Sequence, residues 1–219
     1  MPSAIAKWQA WKPWAGSKND RHHAGRDHLI DDSVKAAKSM SREALERYCS
    51  EVLRFRKALN LTSIKSEQEF MARFVEPSVA LAQWMPETGR LLDIGSGMGV
   101  PGIPLLIAKP GLQGVLVERR KKRAEFLRHL ARVLRLDAEV YDADVNALPH
   151  LGVNVCVARA VTHIPELLKM CGRHAEPGAV AVLPVPQSAG PALVEGWRFD
   201  RSHTIEAGDE QQIHCYSYP

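Results

Sequence analysis

From Arg90 to Val185, short apolar runs alternate with helical stretches, and no other feature constrains the fold as much. RLLDI (90–94), GVLVE (114–118), AEVYDAD (138–144), NVCVARA (154–160) and AVAVLPV (179–185) are of strand length. PGIPLLIA (101–108), RKKRAEFLRHLARVLRL (120–136) and HIPELLKMC (163–171) lie between them and read as helices. Parallel neighbours need long crossovers, so the pattern predicts a doubly wound, mostly parallel α/β sheet of Rossmann-like form. Residues 197–219 read as two closing antiparallel strands about a turn at Gly208-Asp209, for seven strands in all.

Residues 1–38 have no sustained period and read as a flexible basic tail, with residues 39–219 as the folded domain. Trp8, Trp11 and Trp14 recur every third residue there and could stack on RNA bases. His22, His23 and His28 resemble tail composition more than a metal site, and no metal is expected. From Ser41, the spacing of Leu45, Tyr48, Cys49, Val52 and Leu59 predicts one amphipathic helix. Ser66 and Glu69 fit a capping box at the start of a second helix. That helix carries Phe70, Phe74 and Val75, is expected to kink or break at Pro77, and ends near residues 84–86.

There is no eighteen-residue apolar run and no continuous apolar stretch at the N-terminus, so neither a membrane span nor a secretory signal is expected. Cys49, Cys156, Cys171 and Cys215 share no close spacing and read as free thiols of a cytoplasmic protein, with Cys156 buried in a strand. The net charge of +4 is unevenly placed. Residues 118–135 carry eight Lys/Arg against two Asp/Glu, and residues 1–38 carry seven against four. A focused basic segment beside a ligand loop points to a polyanion, and the simpler reading is a solvated helix face.

In a doubly wound sheet the ligand sits beyond the carboxyl ends of the strands, so the loop after RLLDI is the default site. It reads DIGSGMGVPGIP, with Asp93, Gly95, Ser96, Gly97, Gly99 and Val100 at its core. Gly97, Gly99 and Gly102 match the dinucleotide spacing, a weak signal alone. Asp93 at the strand end suits the cationic amino acid end of S-adenosylmethionine (AdoMet) and would repel a pyrophosphate. Glu118 ends the second strand 19 residues after Gly99 and can accept from both ribose hydroxyls. That excludes NADP without separating NAD from AdoMet. The simpler readings are a turn carboxylate for Asp93 and a rim ion pair for Glu118. No Lys-Ser/Thr follows the glycines, which excludes a P-loop, and no GxSxG or HExxH motif appears.

With DIGSGMGVPGIPL in view, the chain resembles the glucose-inhibited division protein B family, the bacterial small-subunit rRNA methyltransferases G. LNLTSIKSEQEFMARFVEPSVAL, LVERRKKRAEFLRHLARVLRL and ARAVTHIPELL extend the resemblance in order over roughly residues 42–185. It implies an AdoMet-dependent enzyme that methylates guanine N7 in the decoding region of 16S rRNA. Carried over by position, Gly95 and Val100 belong to the AdoMet loop, Glu118 takes the ribose, and Val145-Asn146 sits at the adenine. Arg159 is the arginine beside cofactor and target. Lys122 and Arg123 match the basic pair at the helix start and, with Arg73 and Arg119, form the expected RNA-binding set. The implied partner is the small ribosomal subunit, with the protein acting as a monomer.

Four positions depart from the family on the acceptor side. Phe74 and Pro77 stand where the family has His and Asp, Pro184 where it has Lys, and Asp144 where an arginine is common. Two alternatives follow: a methyltransferase of the same fold acting on another RNA or a small molecule, and a non-catalytic AdoMet- or RNA-binding protein.

Overall fold

The computed structural model describes residues 27–159, 162–205 and 211–219. Trp8, Trp11, Trp14, His22 and His23 of the expected tail lie outside them. Two compact units divide the chain, residues 1–43 and residues 44–219. The described part of the first unit is helical, because helix α1 runs Asp27–Phe55. It therefore starts inside the segment read as a tail, upstream of the expected start at Ser41. Extending a nucleated helix adds one hydrogen bond per residue ordered, and SVKAAK contains good helix formers, so helicity continues past the dense apolar stripe.

In the second unit, Ser66 caps helix α2 (Glu67–Phe70), its Oγ accepting from Glu69 N at 3.4 Å. Pro77 does not end the helical path. A π turn at Met71–Val75 precedes it, with the Glu76 N–H donating to Met71 O. Pro77 then falls in the first turn of helix α3 (Glu76–Ala80), where a missing N–H costs little. A 3₁₀ turn at Leu81–Trp84 leads into the sheet.

The strands are β1 (Gly89–Ile94), β2 (Leu112–Val117), β3 (Ala138–Tyr141), β4 (Val153–Ala158), β5 (Ala175–Pro186), β6 (Arg198–Ile205) and β7 (Gln211–Ser217). They form one seven-stranded sheet in the order β3-β2-β1-β4-β5-β7-β6. The first five are parallel, and β7 pairs antiparallel with both β5 and β6. Helices α4 (Gly102–Ala108), α5 (Lys121–Val133) and α6 (Ile164–Gly172) make the crossovers. Alternate strand residues feed two cores. Leu91, Leu116, Val155 and Val182 pack with Tyr48, Phe70, Ile103 and Leu127 on one face. Leu92, Val115, Cys156 and Ala181 pack with Leu168, Trp197 and Tyr216 on the other. Cys156 is buried, as expected of a strand residue covered on both faces.

Chain order reverses between β1 and β4, and the register aligns their exits. Ile94 pairs with Val117 of β2 and with Ala158 of β4, and Val117 pairs with Tyr141 of β3. Gly95, Glu118 and Arg159 are therefore the next residues on three adjacent strands, at one level of the sheet.

Candidate cofactor and acceptor site

At that switch point the backbone turns sharply. Gly95 N and Ser96 N both donate to Val117 O, at 2.8 and 3.0 Å, and Ser96 Oγ donates to Asp93 O at 2.9 Å. The loop closes into α4 through Ile103 N donating to Gly99 O at 2.8 Å. Gly99 has φ +97°, and a Cβ there would lie 2.5 Å from Ile103 Cγ1, so only glycine fits. Tyr48, on α1, donates its hydroxyl to Met98 O at 3.0 Å and holds the loop from the helical side.

Asp93 lies beneath this loop, fully buried. Its Oδ2 accepts from Gly102 N at 3.1 Å, at the start of α4. Its Oδ1 is buried and has no hydrogen-bond partner among the described residues. Burial first of all pushes the carboxyl up to about 7, against the lowering influence of the nearby Ser96 hydroxyl and of the hydrogen bond from Gly102 N. An unsatisfied buried oxygen is costly, and a cationic donor arriving at this edge would satisfy it. That oxygen is the observation that fits the amino acid end of AdoMet.

Glu118, also buried, accepts from Gly97 N through Oε2 at 3.0 Å and from Arg120 N through Oε1 at 2.8 Å. Each oxygen keeps a second acceptor site for a hydroxyl. Past β3, Asp144 caps a 3₁₀ turn (Val145–Ala147) by accepting from Asn146 N at 2.9 Å. The carbonyls of the turn are held from the far end of α6: Arg173 donates to Asn146 O at 3.1 Å, and His174 Nε2 to Val145 O at 3.1 Å. His174 is fully buried, and burial holds it below the usual histidine range, so it is neutral with its proton on Nε2. Neither Tyr48 nor His174 stands out in the sequence; one sits on a helical apolar stripe and the other in an ordinary helix-to-strand connection.

Arg159 follows Ala158 at the level of Gly95. Its Cζ lies 4.6 Å from the ring centroid of Phe74. Continuing the pairing of Cys156 with Ala181 brings Pro184 level with Arg159. Both line a small cavity of about 10 Å³ together with Pro77, Ser78, Leu81, Pro101 and Ile213. Three of the four acceptor-side departures, Phe74, Pro77 and Pro184, thus gather around one arginine. A separate cleft of about 660 Å³ opens at Gly89, Asn154 and Gly178, near the amino ends of the strands and away from this constellation.

The expected RNA-binding set is divided. Lys122 and Arg73 are exposed. Arg119 forms an ion pair with Asp144 at 3.6 Å, which accounts for an acid at that strand exit. Arg123 instead donates to Leu59 O at 3.4 Å and Asn60 O at 2.5 Å. The turn that follows α1 holds Asn60 at φ +49°, and its carbonyls attract the guanidinium across 63 residues of sequence.

Among the described residues, no helix is long and apolar enough to cross a membrane. The sequence model of rRNA small subunit methyltransferase G matches residues 41–184. A relative of that name from Stenotrophomonas maltophilia is 38% identical over 138 residues, which are 62% of this chain and 65% of the relative. Another from Xanthomonas campestris pv. campestris is 34% identical over 167 residues, covering 74% of this chain and 78% of the relative. The chain therefore spans about two thirds to three quarters of the length of these relatives. Among solved structures, a putative methyltransferase from Escherichia coli superposes with a TM-score of 0.54 at 13% identity, over 65% of this chain and 85% of that one. Pyrococcus horikoshii TYW2 in complex with MeSAdo gives 0.52 at 15% identity, over 66% and 62%. At such identities the likeness is one of fold.

Proposed function

The chain belongs to the rRNA small subunit methyltransferase G family, and on that premise we propose that it transfers the methyl group of AdoMet to guanine N7 in the decoding region of 16S rRNA. The observation that carries this reading is the row of Gly95, Glu118 and Arg159 at one level of the sheet, with the unsatisfied oxygen of Asp93 below it. The partner is the small ribosomal subunit, met in the cytoplasm by a monomer.

AdoMet supplies an electrophilic sulfonium methyl at this edge. Asp93 would accept from its ammonium end, Glu118 from its ribose hydroxyls, and Val145 and Asn146 would flank the adenine. Gly95, Ser96, Gly97, Gly99 and Val100 provide the backbone against which it lies. Guanine N7 holds its lone pair in the ring plane and gives up no proton on methylation. The residues therefore align the acceptor and exclude water rather than act as a base. Arg159 supplies the orienting charge, and the apolar side chains around it lower the local dielectric and strengthen its field. Lys122, Arg73 and Arg119 offer charge to the RNA backbone.

One observation favours a second reading. The wall around Arg159 is apolar where the family carries His, Asp and Lys, which suits an acceptor other than the decoding region, another RNA or a small molecule.

The deciding experiment is transfer of labelled methyl to 30S subunits from cells lacking the family enzyme, mapped by borohydride–aniline scission at N7-methylguanine. A single strong stop in the decoding-region loop is expected. AdoMet binding without label in the RNA would turn the assignment to the second reading or to a non-catalytic protein.

A further inference from the structure

We propose that Phe74 is a positioning residue for Arg159: the ring face holds the guanidinium at the carboxyl end of β4 by a cation–π contact. The proposal rests on the reading of Arg159 as the orienting charge of the acceptor site.

The separation of 4.6 Å is well within the range in which a ring quadrupole attracts a guanidinium. Arg73 also approaches the ring, at the longer distance of 5.9 Å. Phe74 is itself fixed by a row of aromatics. Its ring centroid lies 5.3 Å from Phe70, and Phe70 meets Tyr48 edge-on at 5.8 Å. Tyr48 in turn donates to Met98 O in the glycine loop. One line of contacts therefore runs from the cofactor loop to the arginine, and the cofactor and acceptor sides share a reference frame.

The backbone of Phe74 is set by the turn it occupies. It lies in the π turn before Pro77, and Ser78 Oγ donates to its carbonyl at 2.6 Å. Single π turns of this kind occur inside helices and are frequent at functional sites. The remaining wall is Pro77, Leu81, Pro101, Pro184 and Ile213, whose side chains have no hydrogen-bonding groups, and Ser78, whose hydroxyl donates to the Phe74 carbonyl. They confine the arginine and exclude water, and the ring adds a preferred face and depth that aliphatic carbon does not supply.

The test replaces Phe74 with Tyr, Trp and Leu, and with 4-fluoro- and 3,4,5-trifluorophenylalanine, which drain the ring face at nearly constant shape. Activity on 30S subunits and the NMR signal of the Arg159 guanidinium are followed together, the latter assigned with Arg159→Lys. A ring-current shift of that signal is expected in the wild type and in F74Y, and its loss in F74L. F74L should lose about tenfold in kcat/KM for the subunit, the scale of a partly buried cation–π contact. Its KM for AdoMet should stay unchanged, the fluorinated rings should fall in between in order of fluorine count, and F74Y should retain most of the activity. No ring-current shift in the wild type, or equal rates across the fluorinated series, overturns the proposal. If the wild type does not methylate the subunit, the acceptor reading fails, and the ring-current shift still decides whether Phe74 holds Arg159.

Discussion

Gly102 donates its backbone N–H to Asp93 Oδ2 at 3.1 Å from a position where a Cβ would lie 2.5 Å from that same oxygen. A carboxylate at the end of β1 can reach the start of α4 only because residue 102 has no side chain. Gly102→Ala should therefore destabilise the protein by about 1–3 kcal/mol, the usual cost of forcing a group into a packed site. It should also weaken AdoMet binding. Urea unfolding and calorimetry measure the two effects, and unchanged values in both would show that the loop relaxes around the methyl.

The same buried carboxyl makes stability depend on pH. Its folded pKa, about 7, lies above the ordinary carboxyl value. The folded state thus binds the proton more tightly, and this contribution is complete below about pH 4 and lost as pH rises through 7. The wild type without ligand should lose stability between about pH 4 and 8, up to about 4 kcal/mol if Asp93 titrates alone. Asp93→Asn should flatten the profile and lower AdoMet affinity. Parallel profiles for the two proteins would remove Asp93 as the titrating group.

Burial also lowers the His174 pKa, with the opposite sign. The folded state refuses a proton that the unfolded chain accepts, so this contribution is present above about pH 6.5 and lost as pH falls. His174→Gln can still donate to Val145 O and should remove that slope. His174→Ala should raise the Kd for AdoMet severalfold, since the turn proposed to flank the adenine loses a buried hydrogen bond of about 1 kcal/mol. The kcat at saturating AdoMet should be unaffected. An equal fall in kcat would give His174 a role beyond the turn.

Arg159→Ala should lower methyl transfer well over tenfold, because losing an orienting charge at a reacting centre costs about 3 kcal/mol. Its AdoMet affinity should change less than its rate. Near-normal turnover would place the acceptor elsewhere.

Lys122 and Arg123 are neighbours with different fates. Lys122→Ala should flatten the salt dependence of RNA binding, by about one unit of slope for each phosphate that is no longer neutralised, with stability unchanged. Arg123→Ala should lower stability by roughly 1–2 kcal/mol, because Leu59 O and Asn60 O would no longer receive the guanidinium. Filter binding across a salt series and urea unfolding would separate the two, and a reversal of these roles would move the RNA face.

Much of the cofactor side is legible in the sequence because its signals are local. A strand's apolar run, the glycines that follow it and an acid at the next strand's end lie within one βαβ unit, and Gly95, Glu118 and Arg159 do emerge side by side. Asp93 stands at the end of β1, and what the sequence does not show is that it faces the start of α4, where Gly102 N donates to it. Helix α1 extends upstream of its dense stripe because propagation needs little apolar patterning.

The sequence by itself determined the alternation of strands and helices, the glycine turn and the two acids at the switch point, since hydrophobic period and glycine placement act over a few residues. Only the tertiary structure decided that Arg123 clamps the end of α1, that Tyr48 anchors the glycine loop across 50 residues, and that Phe74 faces Arg159. A guanidinium binds a phosphate, a carbonyl or a ring face by the same few contacts. Which one it meets depends on what folding brings within about 3–6 Å of it.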